Sequence, residues 1–175
     1  MLIIINSELT LSFNCWKGIY IMIDEFMQEA IRLSLENVRM GGGPFGAIIV
    51  KNQEIISKGV NAVIQNNDPT AHAEIQAIRG ACQKLRTINL SGCSIYTSCE
   101  PCPMCLGAIY WAHLDKIYYS NSRKDAHKIG FADDLIYSEF NLPISERAIP
   151  LIQIKTVEAK EAFRLWEGLV NKVNY

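Results

Sequence analysis

The 175-residue sequence offers no membrane span, no basic face, few histidines and no disulfide scaffold. Each absence excludes something. The most apolar stretch, residues 1–21, is broken by Asn6, Ser7, Glu8 and Asn14, whereas a helix that crosses a bilayer needs about 20 consecutive apolar residues. The same stretch has no basic start, no continuous apolar centre and no small-residue cleavage signal, so it is not expected to be a secretory leader. Lys and Arg number 17 against 18 Asp and Glu, and they are scattered along the chain. The nearest basic group, Arg123, Lys124 and Lys128, is diluted by Asp125 and reads as a solvated helix face rather than a nucleic-acid surface. Six cysteines in a chain of this length are not a staple set, since 175 residues can bury a full core unaided. Repeats and low-complexity segments are missing too.

The cysteines that are present are unevenly placed. Cys15, Cys82 and Cys93 fall in apolar contexts and read as small core residues. The other three crowd into CEPCPMC, Cys99 to Cys105. Such a window implies metal or catalysis in a reducing compartment, hence a cytoplasmic location.

Patterning organises the rest. Met22 opens a helical segment that Asp24 is positioned to cap, running to about Met40 with Ile23, Met27, Ala30, Ile31, Leu35 and Val38 as its apolar stripe. Residues 45–50 and 54–60 predict a hairpin joined by Lys51-Asn52-Gln53. A polar loop (61–70) leads to a helix over 71–85 with Ile75, Ile78, Cys82 and Leu85 on one face. Strands are predicted at 93–97 and 116–120, with a helix at 102–112 between them that has Pro103 at its first position. Short helical pieces are expected over 123–140, a last strand at 151–155 and an amphipathic helix over 158–173. Alternating strands and helices after a hairpin describe an α/β domain, a central mixed sheet with helices on both faces. Residues 22–175 form that domain. Residues 1–21 are either an extension or an extra strand. GGGPFG (41–46) formally matches the dinucleotide fingerprint, but it follows a helix and precedes a strand, the reverse of what that site requires.

Cys102 and Cys105, three apart at a helix start, share one face at the positive end of the helix dipole, where thiolates are favoured. Cys99 precedes an extended Glu100-Pro101 and reads as a buried structural thiol. Of the three histidines, His113 and His127 sit in solvated positions. His72, at the start of the other central helix, is the natural third ligand. One imidazole and two thiolates leave a tetrahedral position open, the mark of a catalytic zinc rather than a structural one. Glu74, two residues on, is long enough to converge on the site from the first helical turn and act as general acid and base.

His72-Ala73-Glu74 and Pro101-Cys102-Pro103-Met104-Cys105 together resemble the signature of the zinc-dependent cytidine and deoxycytidylate deaminase-like family. The bracketing stretches 43–47, 67–74 and 96–112 agree with it. Within that family, residues 106–112, 130–137 and the final NKVNY are similar to bacterial guanine deaminases. The resemblance implies a three-layer α/β/α fold, usually oligomeric. It implies one zinc per chain on His72, Cys102 and Cys105, with Glu74 as the proton carrier. It further implies that Asn61, the Ala73 backbone and Asp133 read the base, that Phe45 and Trp111 wall the pocket, and that Tyr175 closes it, in a homodimer with C-terminal exchange as one arrangement. The family segment carries an acid doublet directly after Gly-Phe. Here Ala132 intervenes, so Asp134 stands as the alternative to Asp133, which ungapped spacing from Cys105 favours. The implied reaction is hydrolytic deamination of guanine to xanthine and ammonia, in purine salvage or catabolism. A tRNA adenosine substrate, cytosine or a nucleoside, and a non-catalytic zinc module with Cys99 as fourth ligand are the competing readings. The last would leave Glu74 without a role.

Overall fold

The computed structural model describes residues 24–173, which fall into two compact units, 24–131 and 132–173. The expected extension at 1–21 and Tyr175 lie outside the described residues.

The first unit is built on a four-stranded sheet of order β2-β1-β3-β4. Its strands are β1 (Gly46–Lys51), β2 (Glu54–Val60), β3 (Cys93–Cys99) and β4 (Lys116–Asn121). The β1–β2 and β1–β3 pairs are antiparallel and β3–β4 is parallel, so the sheet is mixed as expected. The hairpin turns through Asn52 and Gln53, both at positive φ.

Period-two alternation along β1 feeds two cores. Ala47 and Ile49, with Cys93 and Ile95 of β3, face α3 (Ala73–Leu85) and α4 (Pro103–Trp111). Ile48 and Val50, with Tyr96, face the first helix, α1 (residues 24–39). Tyr96 continues that layer by stacking on Tyr118, ring centroids 4.5 Å apart. Helices on both faces bear out the three-layer reading. On the first face the α3 side is made of small residues, Ala73, Ala77 and Ala81, all buried. This lets α3 lie close on β2, where a Cβ at Gly59 would collide with the Ala73 carbonyl and stand 2.5 Å from Ala77 N.

Two local expectations change. Asp24 is itself helical rather than a cap, and its carboxylate accepts a hydrogen bond from Gln28. The face that α1 buries is also rotated. Phe26, Met27, Ala30 and Leu33 pack on the sheet alongside buried Ser34 and Asn37, while Leu35 and Val38 are exposed. Apolar periodicity alone points to the wrong face, because two of its buried positions are polar.

After β4 the first unit continues with α5 (Arg123–Lys128), opened by a Ser122–Asp125 capping box. A short α2 (Val63–Asn66) interrupts the loop expected at 61–70. The second unit holds α6 (Asp134–Asn141), two 3-10 turns (Ile144–Glu146 and Glu158–Lys160) and α7 (Glu161–Glu167). Residues 151–155 form no strand, and the helix expected over 158–173 is reduced to the second 3-10 turn and α7. Every residue from 151 to 173 is exposed, so nothing among the described residues covers the apolar side chains that a strand or long helix would bury there.

Candidate metal centre

Topology brings the two helix starts together. β2 and β3 are both antiparallel to β1, so they run parallel to one another and end at the same edge of the sheet. The chain therefore leaves both strands at one edge, and α3 and α4 begin there on the same face. Ligand sites commonly form where helices start beyond the carboxyl ends of parallel strands.

His72 is the N-cap of α3, with extended backbone (φ −70°, ψ 157°). Its loop is braced internally: Asp68 accepts hydrogen bonds from Thr70 N (2.8 Å) and Thr70 Oγ1 (2.7 Å), Ala62 N donates to Ala71 O (2.9 Å), and His72 N donates to Thr70 O (2.8 Å). The Thr70 hydrogen bonds hold the Asp68 carboxyl below its ordinary range. Cys102 is the N-cap of α4 with Pro103 behind it, as the sequence predicts. The link from β3 to Cys102 is tied to β4 by Glu100 N to Asn121 O (2.8 Å), Asn121 Nδ2 to Ser98 O (3.1 Å) and Arg123 N to a Glu100 carboxylate oxygen (3.0 Å). The sequence reading gave no role to Asp68 or Glu100. Both act on backbone, and only their placement beside the cysteine and histidine motifs could have pointed to them.

His72 Nδ1 lies 3.5 Å from Cys102 Sγ and 3.5 Å from Cys105 Sγ, and the three donor atoms lie within 4.8 Å of one another. Zinc bonds of about 2.3 Å to sulfur and 2.0–2.1 Å to nitrogen in a tetrahedron place nitrogen and sulfur about 3.6 Å apart. The spacing and the donor chemistry of all three side chains fit zinc. Cys99, 5% exposed, is not in the cluster; its Sγ lies 3.7 Å from Ser122 O. His113 and His127 are exposed.

Charge is organised around the same atoms. The Cys102 thiol is pulled down to about 4, chiefly by a hydrogen bond from Cys105 and further by His72, against the opposing effect of burial. Cys105 is pushed up, because it donates to Cys102, is buried and faces Glu74. Its hydrogen bond to Cys102 raises the His72 imidazole. Glu74 is only 6% exposed, so its carboxylate is not a solvated group of the first helical turn. Burial raises its carboxyl, while hydrogen bonding to Cys105 and the charge of His72 pull the other way.

The other residues singled out by sequence are distributed as follows. Asn61, immediately after β2, is buried, and its Oδ1 accepts from Val63 N at 3.4 Å. Ala73 is the buried first residue of α3. Phe45 is half-buried and packs edge-on to Phe131, ring centroids 4.8 Å apart. Trp111 ends α4 and is 66% exposed. Asp133 and Asp134 begin α6 in the second unit.

Residues 22–121 match the model of the cytidine and deoxycytidylate deaminase zinc-binding region. The chain is 48% identical to a guanine deaminase of Bacillus subtilis over 87% of its own length and 98% of that protein's. The crystal structure of guanine deaminase from that organism superposes with a TM-score of 0.84 at the same coverage. A guanine deaminase structure from Nitrosomonas europaea gives 0.59 at 33% identity, covering 62% of this chain and 63% of the other. Similarity to a tRNA-specific adenosine deaminase of Aquifex aeolicus is 45% over 95 residues, 54% of this chain and 63% of that protein. The helix-start zinc ligands, the mixed sheet beneath them and these likenesses coincide over the same residues: the chain belongs to the cytidine and deoxycytidylate deaminase family of zinc enzymes.

Proposed function

We propose that this chain hydrolyses guanine to xanthine and ammonia, using Glu74 as the proton carrier beside a zinc ion held by His72 Nδ1, Cys102 Sγ and Cys105 Sγ. The observation that carries the reading is a carboxylate, Glu74, buried in the first turn of α3 two residues from His72, whose imidazole clusters with the Cys102 and Cys105 thiols. Likeness to a guanine deaminase over nearly its whole length, second unit included, supports the choice of base. When bound, zinc supplies the Lewis acidity that brings the pKa of a water toward neutrality.

The residues of the chain then do the following. Glu74 accepts a proton from the water as oxygen adds to C2 of guanine, and delivers it to the adjacent ring nitrogen. It takes the second proton as the C–N bond breaks and gives it to the departing amine, so that water and guanine leave as xanthine and ammonia. A carboxyl raised by burial suits both directions of transfer, since a proton carrier works best with a pKa near the operating pH. Asn61 and the Ala73 backbone orient the base, Phe45 and Trp111 wall it, Asp133 (with Asp134 as alternative) reads its edge, and Tyr175 closes over it. The domain comprises residues 22–175, with 1–21 as an extension; the family match beginning at residue 22 supports this boundary.

The active form is a homodimer, with exchange of the C-terminal segments as one arrangement of it. The exposure of Ile152, Ile154, Phe163 and Val170 supports a partner copy, since so much apolar surface is rare on a monomer. The setting is cytoplasmic purine metabolism, supported by a cluster of thiols that must stay reduced. The 45% identity to a tRNA adenosine deaminase favours a second substrate, but an overall charge of −1 opposes grip on an RNA backbone.

The test is ammonia release from guanine, guanosine, cytosine, cytidine, adenine and a tRNA anticodon stem. Guanine is expected to be turned over fastest, with xanthine as product. Release from the tRNA stem alone would replace this reading with the second.

A further inference from the structure

Among the buried polar residues that the mechanism leaves unused is Asn37, on α1 and therefore across the sheet from α3 and α4. It is 3% exposed, and its one carboxamide nitrogen donates to two backbone carbonyls, Gly43 O and Asn61 O, each at 2.8 Å. Its backbone carbonyl accepts from Gly42 N at 2.8 Å. Asn61 is thereby held at both ends of its backbone, because its N–H donates to Phe45 O at 3.2 Å. With the backbone clamped, the Asn61 side chain keeps only its own rotamers, and its Oδ1 is turned to Val63 N.

The surrounding sequence makes room for this clamp. A Cβ at Gly42 would stand 2.6 Å from Asn37 Cγ, and one at Gly43 would stand 3.1 Å from Asn61 Cγ. Gly42 and Gly43, within the stretch that imitates a dinucleotide fingerprint, thus leave the space that two asparagines occupy. The chemistry selects asparagine at 37. Two carbonyls need a double donor without charge; aspartate would present a lone pair to each, serine has one hydrogen, and glutamine would run into Gly42.

We propose that Asn37 is a positioning residue that sets the Asn61 carboxamide for the base, and so acts on substrate recognition without touching substrate or metal. This rests on the reading that Asn61 contacts the base.

The experiment compares wild type, Asn37→Asp, Asn61→Ala and the double variant in zinc content, thermal midpoint, kcat and KM for guanine. Asn61→Ala is expected to raise KM about tenfold. Asn37→Asp should raise KM at least about fivefold, the scale of one or two net hydrogen bonds, with zinc still near one per chain and kcat within about threefold. In the double variant KM should stay within about twofold of Asn61→Ala alone, because a residue acting through another adds nothing once that residue is gone. Asn37→Ser, which keeps one donor, should fall between wild type and Asn37→Asp; if Asn37→Asp does not fold, Asn37→Ser with and without Asn61→Ala makes the same comparison. An unchanged KM for Asn61→Ala would remove the base-contact role and this proposal together. A raised KM for Asn61→Ala beside a wild-type KM for the Asn37 variants would overturn the positioning role alone. Multiplying effects in the double variant, or loss of zinc with Asn37→Asp, would mark Asn37 as merely structural.

Discussion

Residues 24–131 and 132–173 carry comparable apolar side chains and use them in opposite ways. In the first unit, Ile48, Ile49 and Ile95 are fully buried between helices. In the second, Ile149, Ile152, Ile154 and Phe163 are each more than three-quarters exposed. A metal centre needs donors held within about half an ångström, and sites on packed strands and helices achieve this better than loops do. The zinc ligands accordingly all belong to the first unit. The second unit has no core among its described residues.

The largest effect expected from breaking this division lies at the ligands. Cys102→Ala should drop zinc from about one per chain to near zero and abolish turnover, whereas Cys99→Ala should keep both; metal analysis of the two purified variants checks it. Zinc loss from Cys99→Ala would mean a closed four-ligand site. Next is Glu74→Gln, which should retain zinc and fold while kcat falls at least about 10²-fold, the lower end for positioned proton transfer. A near-normal kcat would assign the proton to another group.

A smaller effect is expected in the second unit. Deleting Asn174 and Tyr175 should leave zinc and thermal midpoint nearly unchanged and lower kcat/KM for guanine about tenfold, as loss of a lid acts on binding and turnover together. Mixing that truncation with Glu74→Gln should restore activity after subunit exchange, if the tail serves a neighbouring site. Full activity of the truncated enzyme would end the lid role.

The smallest effect contrasts two ion-pair clusters. In the first unit Glu29 is paired with Arg32 (2.7 Å) on its own helix and with Lys58 (2.5 Å) on β2, and Arg32 also pairs with Glu36. In the second, Arg164 and Glu161 are one turn apart on α7 and exposed. The Arg32 hydrogen bond, and after it Lys58, hold the Glu29 carboxyl down at about 2 from an ordinary 4.5, against the effect of burial. A depressed carboxylate stabilises the fold above its unfolded pKa, and that contribution is lost as pH falls from 4.5 toward 2. Glu29→Gln should therefore cost no more than about 1 kcal/mol at neutral pH, the scale of surface pairs, and flatten the acid side of the stability curve. Glu161→Gln, at an exposed pair, should cost less. Urea unfolding at several pH values tests both, and parallel curves for Glu29→Gln and wild type would refute the coupling.

The same contrast governs what was legible in the sequence. The strands of the first unit and both central helices lie within two residues of their predicted positions, because burial on two faces imposes strong periodicity there. The zinc ligands were legible because few residue types bind zinc and their helix-start spacing is restrictive. The rotated face of α1 was hidden by Ser34 and Asn37, buried polar residues that break an apolar stripe. Burial of Glu74 follows from the tight approach of α3 to β2, which depends on residues distant in sequence. The strand expected at 151–155 failed because its apolar run has nothing among the described residues to pair with or pack on. Periodicity reports what a segment could bury, and only tertiary structure supplies the surface that buries it.

The central claim is that this is a three-ligand zinc centre working on guanine. Titrating zinc into the metal-free protein while following xanthine formation tests it most directly. Activity should rise linearly and saturate at one zinc per chain, with one ammonia per xanthine. Turnover of guanine by the metal-free protein, or none at full zinc loading, would contradict it.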